Sequence, residues 1–159
     1  MTDITGKTCL VTGGAGGLGK AIATRFLAAN ANVVICDINE ARLQETATEL
    51  SANSSVGKVK AIKADITSAA AVQTLFDEII ATFGKVDILV NNAGIMDRFD
   101  PVGDLDENLW DKVIAVNLTA PFLLSKLAVQ NMLAQEKVEG NIVNIVSLAG
   151  RGGGVAGMI

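Results

Sequence analysis

Five apolar runs punctuate the chain: TCLVT (8–12), NVVICD (32–37), VKAIKAD (59–65), VDILVNN (86–92) and NIVNIVS (141–147). Each has the length of a strand. All but the third are continuous enough to be buried on both faces, as strands of a parallel sheet are. Between the runs the apolar period lengthens. In SAAAVQTLFDEIIATFG, Val72, Leu75, Phe76, Ile79, Ile80 and Phe83 recur at spacings of three and four, which predicts a helix with one apolar stripe. Thr67 or Ser68 can cap its start and Gly84 can end it. A longer helical pattern runs from about Asn108 to Gln135 with Pro121 in its interior. Proline has no amide N–H and its ring crowds the carbonyl four residues back, so a kink is expected that leaves the Asn117 carbonyl without its helical partner. A kink shaped only for packing is the alternative.

Strands alternating with helices imply right-handed βαβ crossovers and a parallel sheet covered on both faces. The predicted fold is α/β, a Rossmann-type doubly wound parallel sheet with strand order 3-2-1-4-5. SANSSVGK (51–58) reads as a polar loop between a helix and a strand, and no repeat or interdomain linker is visible, so residues 1–159 read as a single domain.

Composition narrows the function classes. The chain is half apolar and 19% charged, with a formal charge of −4 and no basic run, which argues against a nucleic-acid partner and for small molecules. No stretch approaches the ~18 apolar residues of a membrane span, so no membrane association is expected. The N-terminus shows neither a signal nor a transit peptide, and cytoplasmic residence is the default. Cys9 and Cys36 lie in apolar runs, without a Cys-x-x-Cys pattern and in a chain with no His. Buried reduced thiols are therefore expected, with no disulfide and no metal site. The chain also has no Tyr, so two of the usual acid/base side chains are missing.

Candidate chemistry begins at TGGAGGLGKA (12–21), between the first strand and a helix. In that context glycines let backbone approach a pyrophosphate, and amides at a helix N-terminus face its charge. Gly13, Gly17 and Gly19 have the spacing TGxxxGxG. The stretch Gly14 to Lys20 also reads as G-x-x-x-x-G-K of a nucleoside-triphosphate loop, but position 21 is Ala where a magnesium-binding hydroxyl belongs. Asp37, ending the second strand, can accept hydrogen bonds from ribose hydroxyls and would repel a 2′-phosphate, which favours NAD over NADP. A turn whose glycines only permit close packing, with Asp37 capping the next helix, is the alternative.

Taken together, Thr12-Gly13-xxx-Gly17-x-Gly19, Asp65, the run Asn91-Asn92-Ala93-Gly94, Asn117 and Ser147 resemble the short-chain dehydrogenase/reductase family over essentially the whole chain. The resemblance implies an NAD(P)-binding Rossmann domain that transfers a hydride between nicotinamide and a small-molecule alcohol or ketone. It implies that the glycine motif, Leu18 included, binds the pyrophosphate. Asp65 and Ile66 would contact the adenine, and the NNAG segment, Asn91 with Asn92, Ala93 and Gly94, would line the cofactor and steady the central sheet. On residues alone, Asp65 is equally a helix cap or a solvated strand end, and NNAG a turn tolerant of positive φ. The resemblance makes Ser147 and Asn117 catalytic, Ser147 by donating to the substrate oxygen and Asn117 by holding a water on its carbonyl.

In the family a tyrosine and a lysine four residues beyond it move the proton, and the resemblance puts that pair immediately after Ile159. The chain is thus expected to be an N-terminal portion, with C-terminal strands and helices missing, and inactive or very weak by itself. A catalytically inactive dinucleotide-binding module is the alternative function, and a nucleoside-triphosphatase a third. Homo-oligomers are implied for the full-length form. Without the following helix, Val113, Leu118, Phe122 and Leu127 are expected to lack cover. MDRFDPVGDLDEN (96–108) is a candidate border of the substrate pocket.

Overall fold

The computed structural model describes residues 3–53, 56–96 and 101–147. The glycine-rich tail after Ser147, and residues 97–100 of the candidate pocket border, lie outside the described residues. The elements are β1 (Thr8–Thr12), α1 (Gly17–Ala28), β2 (Asn32–Asp37), α2 (Glu40–Ala52), β3 (Val59–Lys63), α3 (Ala69–Phe83), β4 (Ile88–Asn91), α4 (Glu107–Ile114), α5 (Ala120–Leu133) and β5 (Asn141–Asn144). All strand pairs are parallel, in the order β3-β2-β1-β4-β5, as the alternation of runs predicts.

Side chains alternate across the pleat and so build two cores. Leu10, Val34, Cys36 and Leu89 face α3 and α5, where Val72, Leu75, Phe76, Ile79, Leu124 and Ala128 meet them. Cys9, Val11, Val33, Ile35 and Val90 face α1 and α2 through Ala23, Leu27, Leu43 and Leu50. Cys9 and Cys36 therefore lie in different layers as free buried thiols. Burial, helped by the charges of Asp87 and Asp37 respectively, pushes both thiols up to about 12. Ser68 caps α3 by accepting from the Ala71 amide at 3.3 Å, and Gly84 ends it in the left-handed region. Ile80, read as part of the buried stripe, stands 39% exposed at its edge.

Three expectations change. The fifth run, expected to be buried on both faces, is largely exposed: β5 pairs with β4 along one edge, and no described element covers its other edge. The long helix is broken at the expected place, but by a π-helical turn, Ala115–Thr119, in which the Ala120 amide donates to the Ala115 carbonyl. Pro121 can donate neither to Asn117, four residues back, nor to Val116, five back, so the widened turn meets a residue with no N–H to place. The helical run 107–133 is, against expectation, long and apolar enough by length and composition to cross a membrane. One of its stripes, Ala120, Leu124, Ala128 and Met132, is buried in the core. Leu118 and Phe122 are uncovered as expected, whereas Val113 is buried and Leu127 packs on the core.

At the N-terminal ends of the strands, the buried Asp87 carboxylate accepts from the Thr8 amide at 2.8 Å and pairs with Lys85 at 2.9 Å and Lys7 at 3.3 Å. Its backbone bonds Thr8 on one side and Asn141 on the other, so one residue joins β1, β4 and β5. Burial alone would raise its carboxyl, but the Thr8 amide, Lys85 and Lys7 together outweigh that and hold it below the usual range. A depressed carboxyl contributes stability above its unfolded value of about 3.9, and that contribution is lost as pH falls through the folded value. Asp87→Asn is expected to cost about 2 kcal/mol at pH 7 and less at pH 2. Urea unfolding midpoints at the two pH values check this, and an equal loss at both would contradict it.

Candidate functional site

The strand order reverses between β1 and β4, so α1 and the segment after β4 leave the sheet on opposite sides and open a crevice at the C-terminal strand ends. Gly13 to Gly16 fill the mouth of that crevice. A Cβ on Gly19 would fall 2.2 Å from the Gly13 carbonyl oxygen, so this glycine lets α1 start against the loop. Gly17 differs: its φ is +54°, and nothing lies within 4 Å of where its Cβ would be. Close packing accounts for Gly19 but leaves the Gly17 side open. α1 begins there with no side-chain cap and no acidic residue in its first turn, so its N-terminal amides face the opening without a side-chain acceptor. Leu18 is exposed on the same rim.

Asp37 stands beside the loop, half-buried. It accepts from the Ala15 amide at 3.2 Å and the Asn39 amide at 3.0 Å. It does not cap α2, because Asn39 does so by accepting from the Arg42 amide at 3.1 Å. Lys20, the lysine of the triphosphate-loop reading, pairs instead with Glu49 of α2. Asp65 is exposed and holds the turn after β3 by accepting from the Thr67 amide at 3.0 Å and hydroxyl at 2.7 Å, while Ile66 packs into the core. Ser68, rather than Asp65, caps α3.

The NNAG segment is clamped to the glycine loop. The Thr12 hydroxyl oxygen accepts from the amides of Asn92 and Ala93, both at 3.0 Å. The Asn92 side chain donates to the carbonyls of Thr12 at 2.9 Å and Gly13 at 3.3 Å. Asn117, on the π turn, reaches across to the same segment: its Nδ2 donates to the Ile95 carbonyl at 2.8 Å, and its Oδ1 accepts from the Ile95 amide at 3.0 Å. Gly94 lies next to that strap, since a Cβ there would be 3.4 Å from Asn117 Oδ1. Sequence reasoning gave Asn117 a carbonyl role and missed the side chain, although an amide inside a helical pattern is the signal of one hydrogen-bonding elsewhere.

Asn91, the first residue of the NNAG run, works on the sheet side of that segment. It is buried at the end of β4, with its Nδ2 donating to Asn144 Oδ1 at 2.8 Å and to Ser125 Oγ at 3.3 Å. Its backbone carbonyl accepts from Ile145 at 2.9 Å. Ser147 is exposed two residues beyond that last bond. The hydrogen bonds thus gather Gly13, Asp37, Asn92, Ala93 and, through Ile95, Asn117, with the open Gly17 rim beside them. Asp65 adjoins through the Ala64 amide, which donates to the Asp37 carbonyl at 3.1 Å.

A doubly wound sheet with this loop, this uncapped helix end and this strand-end carboxylate defines a nucleotide-binding protein of the Rossmann type. The family model described as short chain dehydrogenase matches residues 7–159, so the chain belongs to the short-chain dehydrogenase family of oxidoreductases. A relative from Gibberella zeae, "Short chain dehydrogenase/reductase dpfgG", is 59% identical over 99% of this chain and 57% of its own length. "Short chain dehydrogenase/reductase dpmpG" from Macrophomina phaseolina is 58% identical over 98% of this chain and 89% of its own. The chain therefore spans under three fifths of one relative and most of the other.

Among solved structures, an NAD+-bound xylitol dehydrogenase superposes with a TM-score of 0.90 at 31% identity, over 98% of this chain and 58% of that one. A metagenomic short-chain oxidoreductase in complex with NADP gives 0.89 at 32%, over 98% and 69%.

The two glycines should respond differently to a methyl group. Gly19→Ala is expected to cost about 3 kcal/mol, because backbone must move. Gly17→Ala should cost about 1 kcal/mol, for the left-handed φ alone. Chemical denaturation of both variants checks the difference, and equal losses would contradict an open Gly17 rim.

Proposed function

We propose that the chain holds NAD in this crevice for hydride transfer between the nicotinamide and a small-molecule alcohol or carbonyl. The observation that carries this reading is the pairing of the open Gly17 rim and uncapped α1 with the Asp37 carboxylate. A carboxylate offers about four lone-pair sites, and Asp37 uses one on each oxygen for backbone amides. One site per oxygen remains for the adenosine ribose hydroxyls. The same negative charge opposes a 2′-phosphate, hence the preference for NAD.

In this reading Gly13, Gly17, Leu18 and Gly19 present backbone to the pyrophosphate. Asp65 and Ile66 border the adenine, and Asn92, Ala93 and Gly94 line the cofactor. When bound, the nicotinamide accepts or gives the hydride. Ser147 orients the substrate oxygen, and the Asn117 carbonyl, to which Pro121 cannot donate, holds a water for proton transfer. The 159 residues contain no Tyr or His, and a serine hydroxyl is too weak an acid to replace them. The chain thus supplies the cofactor half of the chemistry and by itself turns over slowly or not at all. The proposed setting is the cytoplasm, with homo-oligomers in the full-length form.

Calorimetric titration with NAD tests the reading. Asp37→Ala is expected to weaken binding roughly 10- to 100-fold, the worth of hydrogen bonds to a charged acceptor. An unchanged affinity would argue against a ribose held by Asp37.

A further inference from the structure

The glycine loop is held by more than its own motif. The Gly14 amide donates to the Cys36 carbonyl at 3.1 Å and the Ala15 amide to Asp37 at 3.2 Å, which ties the loop to the end of β2. The Ala15 carbonyl turns the other way and accepts from the Thr46 hydroxyl of α2 at 3.0 Å. Ala15 and Thr46 are both buried.

That bond is unlike those of the other helical threonines. Of the five threonines in α1 to α5, Thr24, Thr48, Thr74 and Thr82 donate to the carbonyl four residues back in their own helix, at 2.8–3.1 Å. Such a local bond is the default for a hydroxyl in a helix. Thr46 forgoes the Arg42 carbonyl and reaches the loop instead. Because a trans peptide is planar, its C=O and N–H point in opposite directions. Drawing the Ala15 carbonyl towards α2 therefore turns the Gly16 amide away from α2. Among the described residues that amide donates to no acceptor, whereas the amides of Gly14 and Ala15 are both engaged. It lies where α1 starts, beside the open Gly17 rim.

We propose that Thr46 is a positioning residue for the dinucleotide pyrophosphate, which through the Ala15 carbonyl aims the Gly16 amide at the bound phosphate oxygens. The inference rests on the dinucleotide reading above. Without the hydroxyl the buried Ala15 carbonyl loses its donor, and the peptide relieves that loss by rotating towards water. Rotation carries the Gly16 amide with it, and binding must then restore the orientation. The effect falls on ligands that carry the pyrophosphate and spares adenosine, which does not.

The test is calorimetric titration of NAD and of adenosine against the unsubstituted chain, Thr46→Val, Thr46→Ser and Thr46→Cys, with urea unfolding of each. Thr46→Val, close in shape but without the hydroxyl, is expected to weaken NAD roughly 5- to 30-fold while adenosine changes less than about 3-fold. Thr46→Ser keeps the hydroxyl and should bring NAD back to within about 3-fold, although the lost methyl lowers its unfolding midpoint. If Thr46→Val does not fold, Thr46→Cys makes the same comparison with a weak S–H donor and an intermediate loss of NAD. Unchanged NAD affinity in these variants would overturn the inference, and so would equal weakening of both ligands or a failure of Thr46→Ser to restore NAD. In each of those cases binding of NAD by the unsubstituted chain leaves the dinucleotide reading standing. An unsubstituted chain that does not bind NAD would overturn both.

Discussion

The Thr12 hydroxyl is the point on which the crevice depends. Reversal of strand order between β1 and β4 opens a gap, and a gap between diverging segments has to be held at a fixed width if a ligand is to bridge it. One oxygen at the tip of β1 accepts two amides from the segment leaving β4, and the Asn92 amide returns two bonds to the β1 carbonyls. Thr12 is itself buried, so these bonds are not exchanged with water at low cost. The two walls of the crevice are thereby one hydrogen-bonded unit.

Charge on this unit is distributed unevenly. At the N-terminal strand ends, Asp87 is met by Lys7 and Lys85, and the pairs hold strands together. At the C-terminal ends, among the described residues, Asp37 meets the Ala15 and Asn39 amides, and no side chain caps α1. Asp87 is thus met by two cations at one end of the sheet, whereas Asp37 at the other keeps acceptor capacity beyond its two amides. That asymmetry follows from the parallel arrangement: helices start above the C-terminal strand ends and present their positive ends there.

Strand periodicity and the glycine spacing carried most of the fold into the sequence. β1 and β2 begin and end where their runs do, β1 between Lys7 and Gly13 and β2 with the polar Asn32 and Asp37 as its own end residues. β4 is shorter than VDILVNN because its flanks bond outside the strand, Val86 to the Asn131 side chain and Asn92 to Thr12. Such partners are distant in sequence and leave no periodic trace. Pro121 announced a break, but whether a chain kinks or widens into a π turn is decided by the stripes it packs on either side, here Val113 before and Ala120 after. The Asn117 strap and the Asp87 hub are likewise products of tertiary placement. In the site, motif residues were legible as a set, and the atoms they offer to one another were not.

Asn91 stands between the two halves of the proposed chemistry. The cofactor half rests on β1, β2 and β4, all buried within the sheet. The serine half hangs on β5, an edge strand whose Val143 and Val146 are exposed. What fixes that strand to the rest is its ladder to β4 and the Asn91 side chain, which bridges to Asn144 and Ser125. Asn91 does this with its Oδ1 buried and without a partner among the described residues, a cost of about 1–3 kcal/mol for an acceptor withdrawn from water. An apolar residue would fill the same place without that cost, but it could not donate to Asn144. The fold therefore tolerates a local penalty at a position from which a buried side chain can grip the strand that leads to Ser147.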